Sequence, residues 1–225
     1  MGGTAINGIN APGQLAGTYN FAPDTTLHAF FDNNGSFTKL DPPGSIRSQG
    51  GFINAQGQVV GTYRDANEKR HGFIWRNGVF ITTSINVPND DPVLGTVAFG
   101  INDVGAVVGN YVDARDHIRH GFLRSSSGDF TTFDGPGAVL TIAEGINNAG
   151  TIVGLYVDDK DAVHGFVLKN GNFTTVDVLK EHNPQHTEIY SINAIGEIVG
   201  AYFVVVGEPP NEVEVEHGFI GVPAR

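Results

Sequence analysis

Cysteine is absent from the 225 residues, and methionine and tryptophan occur once each. Without Cys there is neither a disulfide framework nor a thiolate metal site. Charge is sparse too: 16% of residues are charged against 40% apolar, a ratio that excludes a disordered acidic tail. The charge present leans negative, with 24 acidic and 13 basic side chains for a net −11. Phosphate backbones are held by clustered Lys and Arg, so nucleic acid is not an expected partner. No apolar run reaches the roughly 18 residues of a membrane span. Helical periodicity is missing throughout. So are a Gly-x-Ser-x-Gly elbow, a phosphate-cradling glycine loop and a His-Glu-x-x-His pair. The length suffices for a sizeable core.

Glycine is plentiful instead, 31 residues, about twice the usual share of roughly 7%. Its placement is periodic. Ile-Asn-x-x-Gly recurs at Ile9-Asn10, Ile53-Asn54, Ile101-Asn102, Ile146-Asn147 and Ile192-Asn193. Gly-x-Tyr follows each time, at Gly17/Tyr19, Gly61/Tyr63, Gly109/Tyr111, Gly154/Tyr156 and Gly200/Tyr202. Next comes His-(Gly/Ala)-Phe, opened by His28, His71, His120, His164 and His217. The Asn residues are 44, 48, 45 and 46 positions apart. Self-similarity at such a period marks a tandem array. The repeats run approximately 4–47, 48–95, 96–140, 141–186 and 187–225, within a single domain.

Each repeat reads as four short strands. In the third copy the first strand runs from Thr96 to Asn102 and turns on Asn-x-x-Gly, which suits a type I turn. The second is Ala106 to Val112, the third opens at His120-Gly121-Phe122, and the fourth is Phe130-Thr131-Thr132-Phe133-Asp134. Between third and fourth, Asn34-Gly35, Asn77-Gly78, Ser127-Gly128 and Asn170-Gly171 are hairpin signals. Four-stranded antiparallel units of this length in tandem are the signature of propeller blades. The expectation is an all-β, five-bladed β-propeller. After Phe219 too few residues remain for a fourth strand, so the last blade is expected to have three.

The literal His28-Ala29-Phe30, with the Gly-Ile-Asn-x-x-Gly and Phe-Thr-Thr-Phe-Asp strings, resembles the HAF-type bacterial extracellular repeat family over essentially the whole chain. The resemblance implies a secreted, extracellular or periplasmic origin and carries no established activity. Met1-Gly2-Gly3 runs straight into the first repeat without a signal peptide, which reads as a mature or trimmed chain.

Residues common to all copies build blades, so a single site is expected where the copies differ. Three positions before each marker Asn stand Asn7, Gly51, Phe99, Glu144 and Tyr190. Two positions earlier lie Ala5, Gln49, Val97, Ile142 and Glu188. Glu144 and Tyr190 form a candidate acid–base pair, since neighbouring carboxylates can push one pKa upward. Phe99, Glu188, Arg47 and Trp75 are candidate ligand-binding residues. Packing between blades is the alternative for this whole set. His182 and His186, four positions apart with carboxylates nearby, are candidate ligands for a divalent metal; a solvated loop is the alternative, and no cofactor is expected to be obligatory. The acidic loops at Asp65, Asp90, Asp113 and Asp158 read as solvated faces rather than Ca²⁺ loops. The repeated His residues read as structural, bonded to fourth-strand carboxylates such as Asp41, Asp134 and Asp177. The fifth repeat carries an extended hairpin from Phe203 to Glu216, with a Val-rich and a Glu-rich face.

Three functions remain open. One is a binding module that takes a small molecule, glycan or peptide on the variable-loop face near the central channel. The second is a lyase or hydrolase using Glu144 and Tyr190. The third is a protein that assembles into a homo-oligomer through the hairpin.

Overall fold

The computed structural model describes residues 2–23, 25–178, 186–207 and 213–223. The described residues form strands and turns, with no helix. Unit 1 comprises β1 (Gly3–Ile9), β2 (Leu15–Asn20), β3 (His28–Asn33) and β4 (Ser36–Lys39). Unit 2 comprises β5 (Arg47–Ile53), β6 (Val59–Arg64), β7 (Arg70–Arg76) and β8 (Val79–Ile85). Unit 3 has β9 (Thr96–Ile101), β10 (Val107–Val112), β11 (Arg119–Arg124) and β12 (Phe130–Phe133). Unit 4 has β13 (Ala138–Ile146), β14 (Ile152–Asp158), β15 (Val163–Lys169) and β16 (Asn172–Val176). Unit 5 has β17 (Thr187–Ile192), β18 (Ile198–Val206) and β19 (Val213–Gly221).

Within every unit consecutive strands pair antiparallel. Units 1, 2 and 5 are separate sheets of four, four and three strands. Units 3 and 4 join into one eight-stranded sheet through a single parallel bridge, Arg119 to Leu140. The hairpin of unit 5 stays paired out to Val206 opposite Val213, beyond the length of the other units.

The shared residues explain the unit. Gly109 permits the contact of β9 and β10, because a Cβ there would lie 2.0 Å from the Val97 carbonyl oxygen. The third-strand His is a strut: His120 Nδ1 meets Asp134 at 2.9 Å and His164 Nδ1 meets Asp177 at 2.8 Å. Each His also lies against its unit's tyrosine, as His71 does on Tyr63 with ring centroids 5.1 Å apart.

Junctions between units are equally regular. Apolar clusters span each of the first four, such as Val60, Ile74 and Phe122 around Ala98 between units 2 and 3. The marker asparagines tie them. Asn10 Nδ2 donates to the Asn54 carbonyl at 3.1 Å, Asn54 to Asn102 at 2.9 Å, Asn102 to Asn147 at 3.1 Å and Asn147 to Asn193 at 3.1 Å. Asn193 turns instead to its own unit, donating to Glu197 at 2.7 Å. Among the described residues no hydrogen bond joins unit 5 to unit 1. Both surfaces at that seam are bare. Val60, Val108 and Val153 are fully buried, whereas Val199 at the same position is 44% exposed. Ile53, Ile101 and Ile146 are at most 8% exposed, whereas Ile9 is 68% exposed.

Candidate functional site

Each first strand carries a register irregularity at the same place. The pairing passes from Ile6 to Gly8, from Ala98 to Gly100, from Ala143 to Gly145 and from Ile189 to Ser191. The residues skipped are Asn7, Phe99, Glu144 and Tyr190. In β5 the pairing jumps from Gly50 to Ile53, passing over Gly51. A bulged residue leaves the ladder and its side chain is re-aimed, a device common beside binding sites. Here the five bulges face one cavity of about 500 Å³, lined by Asn7, Gly51, Phe99, Glu144 and Tyr190 together with Gln49 and Phe52. All five units therefore contribute to it. On the opposite side, the five Asn-x-x-Gly turns surround a shallower hollow of about 240 Å³.

The cavity wall from units 4 and 5 is acidic. Burial raises the Glu144 carboxyl to about 7, and the neighbouring Glu188 charge adds to the rise. Tyr190 is also raised, first by burial and then by its hydrogen bond to Glu188 and the charges of Glu188, Glu216 and Glu144. Glu188 itself is engaged by His186, whose Nε2 lies 3.1 Å from it. His186 Nδ1 meets Glu214 of the hairpin at 2.8 Å, and its ring stacks on Phe203 at 3.9 Å. His186 thus ties the hairpin to the first strand of unit 5. Its candidate partner His182 lies outside the described residues. Among the described residues no group of three or more His, Asp or Glu is arranged to hold a metal ion.

The structure brings Glu144, Tyr190 and Phe99 together on the cavity, with Glu188 just behind. Arg47 lies at its rim, in a small depression shared with Gln49, Thr62, Tyr63, Arg64 and Arg70. Trp75 stands apart: it is buried against Phe31, ring centroids 4.9 Å apart, in the core between units 1 and 2. Repeated units leave a tryptophan on β7 free to face inward or outward, and packing against Phe31 takes it inward. Asn7 and Gln49 join the site. Their signal in the sequence was membership of the two positions at which the copies differ.

No protein-family model matches the chain, and no curated protein does. Solved structures do resemble it. AofleA from Arthrobotrys oligospora is 14% identical over 98% of this chain and 73% of that one, with a TM-score of 0.52. A triple arginine-to-alanine mutant of AofleA aligns over 97% of this chain and 69% of that one, at 13% identity and a TM-score of 0.55. The SapL1 lectin in complex with alpha methyl fucoside is 10% identical over 99% of this chain and 81% of that one, with a TM-score of 0.49. At these identities the AofleA likeness is one of fold, an all-β chain of antiparallel sheets.

Proposed function

We propose that the chain is a binding module, built as a five-bladed β-propeller with a three-stranded last blade, that takes a small glycan-like ligand in the bulge-lined cavity. The carrying observation is the coincidence of the five bulges on one cavity. Bulges weaken pairing, and all five units keep one while placing a different residue in it. The volume lies within the usual range for small-ligand sites. Aromatic faces from Phe99, Phe52 and Tyr190 stand beside the amides of Asn7 and Gln49. That mixture suits a ring with an apolar face and hydroxyl edges. The HAF-type resemblance and the secreted origin it implies belong to the same proposal.

The test is calorimetric titration of the full chain with a panel of neutral and acidic monosaccharides and short oligosaccharides. We expect one site per chain, with binding lost in Phe99→Ala while the melting temperature stays within a few degrees. Failure of every sugar to bind, or binding indifferent to Phe99→Ala, overturns the reading.

A second reading has its own support. A carboxyl raised to about 7 beside a tyrosine is suited to proton transfer near neutral pH. In that case the bound sugar is a substrate, cleaved by a lyase or hydrolase step, and Glu144→Gln abolishes turnover while leaving sugar affinity in place.

A further inference from the structure

The opposite rim of the cavity has the reverse charge. Arg47 on β5 is directly opposite Arg64 on β6, and Arg64 is directly opposite Arg70 on β7. Directly opposed residues of antiparallel strands share a face of the sheet. The three arginines therefore form one row across unit 2. Thr62, two residues from Arg64 and so on the same face, bonds to the Ala98 backbone of unit 3, which fixes that face towards the neighbouring unit. Arg119 of β11 completes the group from unit 3, and its Nε is buried without a hydrogen-bond partner.

Such a row has a cost. Like charges directly opposite on a sheet repel, and a chain with 24 acidic side chains could pair them easily. Only Arg64 has such a partner, Glu68 at 3.2 Å. Among the described residues no carboxylate lies within salt-bridge distance of Arg47, Arg70 or Arg119. Partial burial, together with the charges of Arg64, Arg119 and Arg47, lowers the Arg70 pKa from its ordinary value. No other unit has the whole row: Gly3 and Asn20 stand at the first two positions in unit 1, Leu140, Val157 and Val163 at all three in unit 4, and unit 3 keeps only the third arginine, Arg119, opposite Val112. A row of three completed in one unit alone is not required to build a unit.

We propose that the Arg47, Arg64 and Arg70 row, with Arg119, is an oxyanion-binding site on the rim of the cavity, so that the ligand is an acidic one bearing a carboxylate, sulfate or phosphate. The link to the cavity is direct, since Gln49 and Thr62 line both it and the arginine depression. Guanidinium forks bind such groups with paired, charge-assisted hydrogen bonds. The anionic group meets units 2 and 3, and the uncharged body of the ligand extends over Gln49 towards Phe99. The Glu144 wall across the cavity repels a second anion and so sets the orientation. This inference rests on the binding-module reading and names the ligand class of the same site.

The experiment compares probes that differ only in charge. The full chain is titrated with glucuronate and with glucose, and in parallel with inorganic sulfate against chloride at matched ionic strength, in the wild type and in Arg70→Gln, Arg47→Gln and Arg76→Gln. Arg76 lies at the far end of β7 and serves as the control. We expect glucuronate and sulfate to bind, with a thermal upshift of about 5 to 10 °C at 100 times the dissociation constant. Arg70→Gln and Arg47→Gln should weaken both about tenfold to a hundredfold, and Arg76→Gln neither. Arg70→Lys separates charge from fork geometry: it should remain folded and still bind more weakly than the wild type. No binding of either anion, or anion binding equal in Arg70→Gln, overturns the inference. Glucose bound as well as glucuronate, and lost only in Phe99→Ala, overturns it while leaving the binding module intact. No sugar bound but sulfate held by the arginines confirms the anion site and sinks the glycan cavity.

Discussion

Four junctions of this molecule are built alike and the fifth differs. Between units 1 and 2, 2 and 3, 3 and 4, and 4 and 5, a buried apolar cluster and an Asn side chain join neighbours. Between units 5 and 1 the same residue types are present on both sides and nothing covers them. Val199 and Ile220 wait on one side, Ile6 and Ile9 on the other. The residues that make a junction are thus encoded by each unit separately, and a junction forms only when a neighbour arrives at the right distance. In a five-bladed ring, the proposed architecture, these two surfaces would meet.

Paired substitutions break or sharpen that comparison. The largest contrast is Val108→Asp against Val199→Asp. An unpaired charge at the fully buried position should cost more than about 4 kcal/mol, and at the exposed one less than about 1 kcal/mol, measured by chemical denaturation. Equal losses would mean that unit 5 is covered in solution and that the ring is closed.

The second contrast lies at the last closed junction, where half-buried Glu144 of unit 4 is near Glu188 of unit 5. Burial lifts the folded-state pKa of Glu144 from 4.5 to about 7. Between these values the native chain holds a proton that the unfolded chain has lost. Stability therefore falls as pH rises from 4.5 to 7 and levels off above. Glu144→Gln should flatten that segment of the pH–stability curve, a difference on the order of 3 kcal/mol. An unchanged slope would show that the carboxyl is hydrated.

The smallest contrast is between asparagines. Asn102→Ala removes both the bond to Asn147 and the cap on its own turn, where its Oδ1 accepts from the Ala106 N–H at 2.9 Å. Asn193→Ala removes only bonds within unit 5. We expect about 1 to 2 kcal/mol for the first and about half as much for the second. A larger loss at Asn193 would place an acceptor from unit 1 beside it.

The four-stranded unit was legible because its markers are local. Asn-x-x-Gly, the glycine pairs and the Phe-Thr strings each fix a turn or a strand within a few residues. The His–Asp struts followed from the same spacing. Glu144, Tyr190 and Phe99 were found by subtracting what the copies share, although the bulge that aims them leaves no local signature. The arginine row was not legible. Positions 47, 64 and 70 look unrelated in sequence, and only the register of three strands sets them side by side. The double role of the marker Asn was hidden for a related reason: a residue needed for its own turn recurs with the repeat whether or not it also reaches a neighbour. Trp75 shows the opposite case: a candidate ligand-binding residue in the sequence, it fills the core between units 1 and 2.

That double role has a further consequence. The Oδ1 of each marker Asn closes its own turn, and in the first four units its Nδ2 grips the next turn. The turn of one unit and the attachment of its neighbour therefore share a single side chain, so losing the turn also loses the attachment. Disorder entering at either free surface advances a unit at a time, and unit 3, farthest from both surfaces, is the last to let go. The seam is then the place where this chain begins to unravel, and unit 3 holds its slowest-exchanging amides.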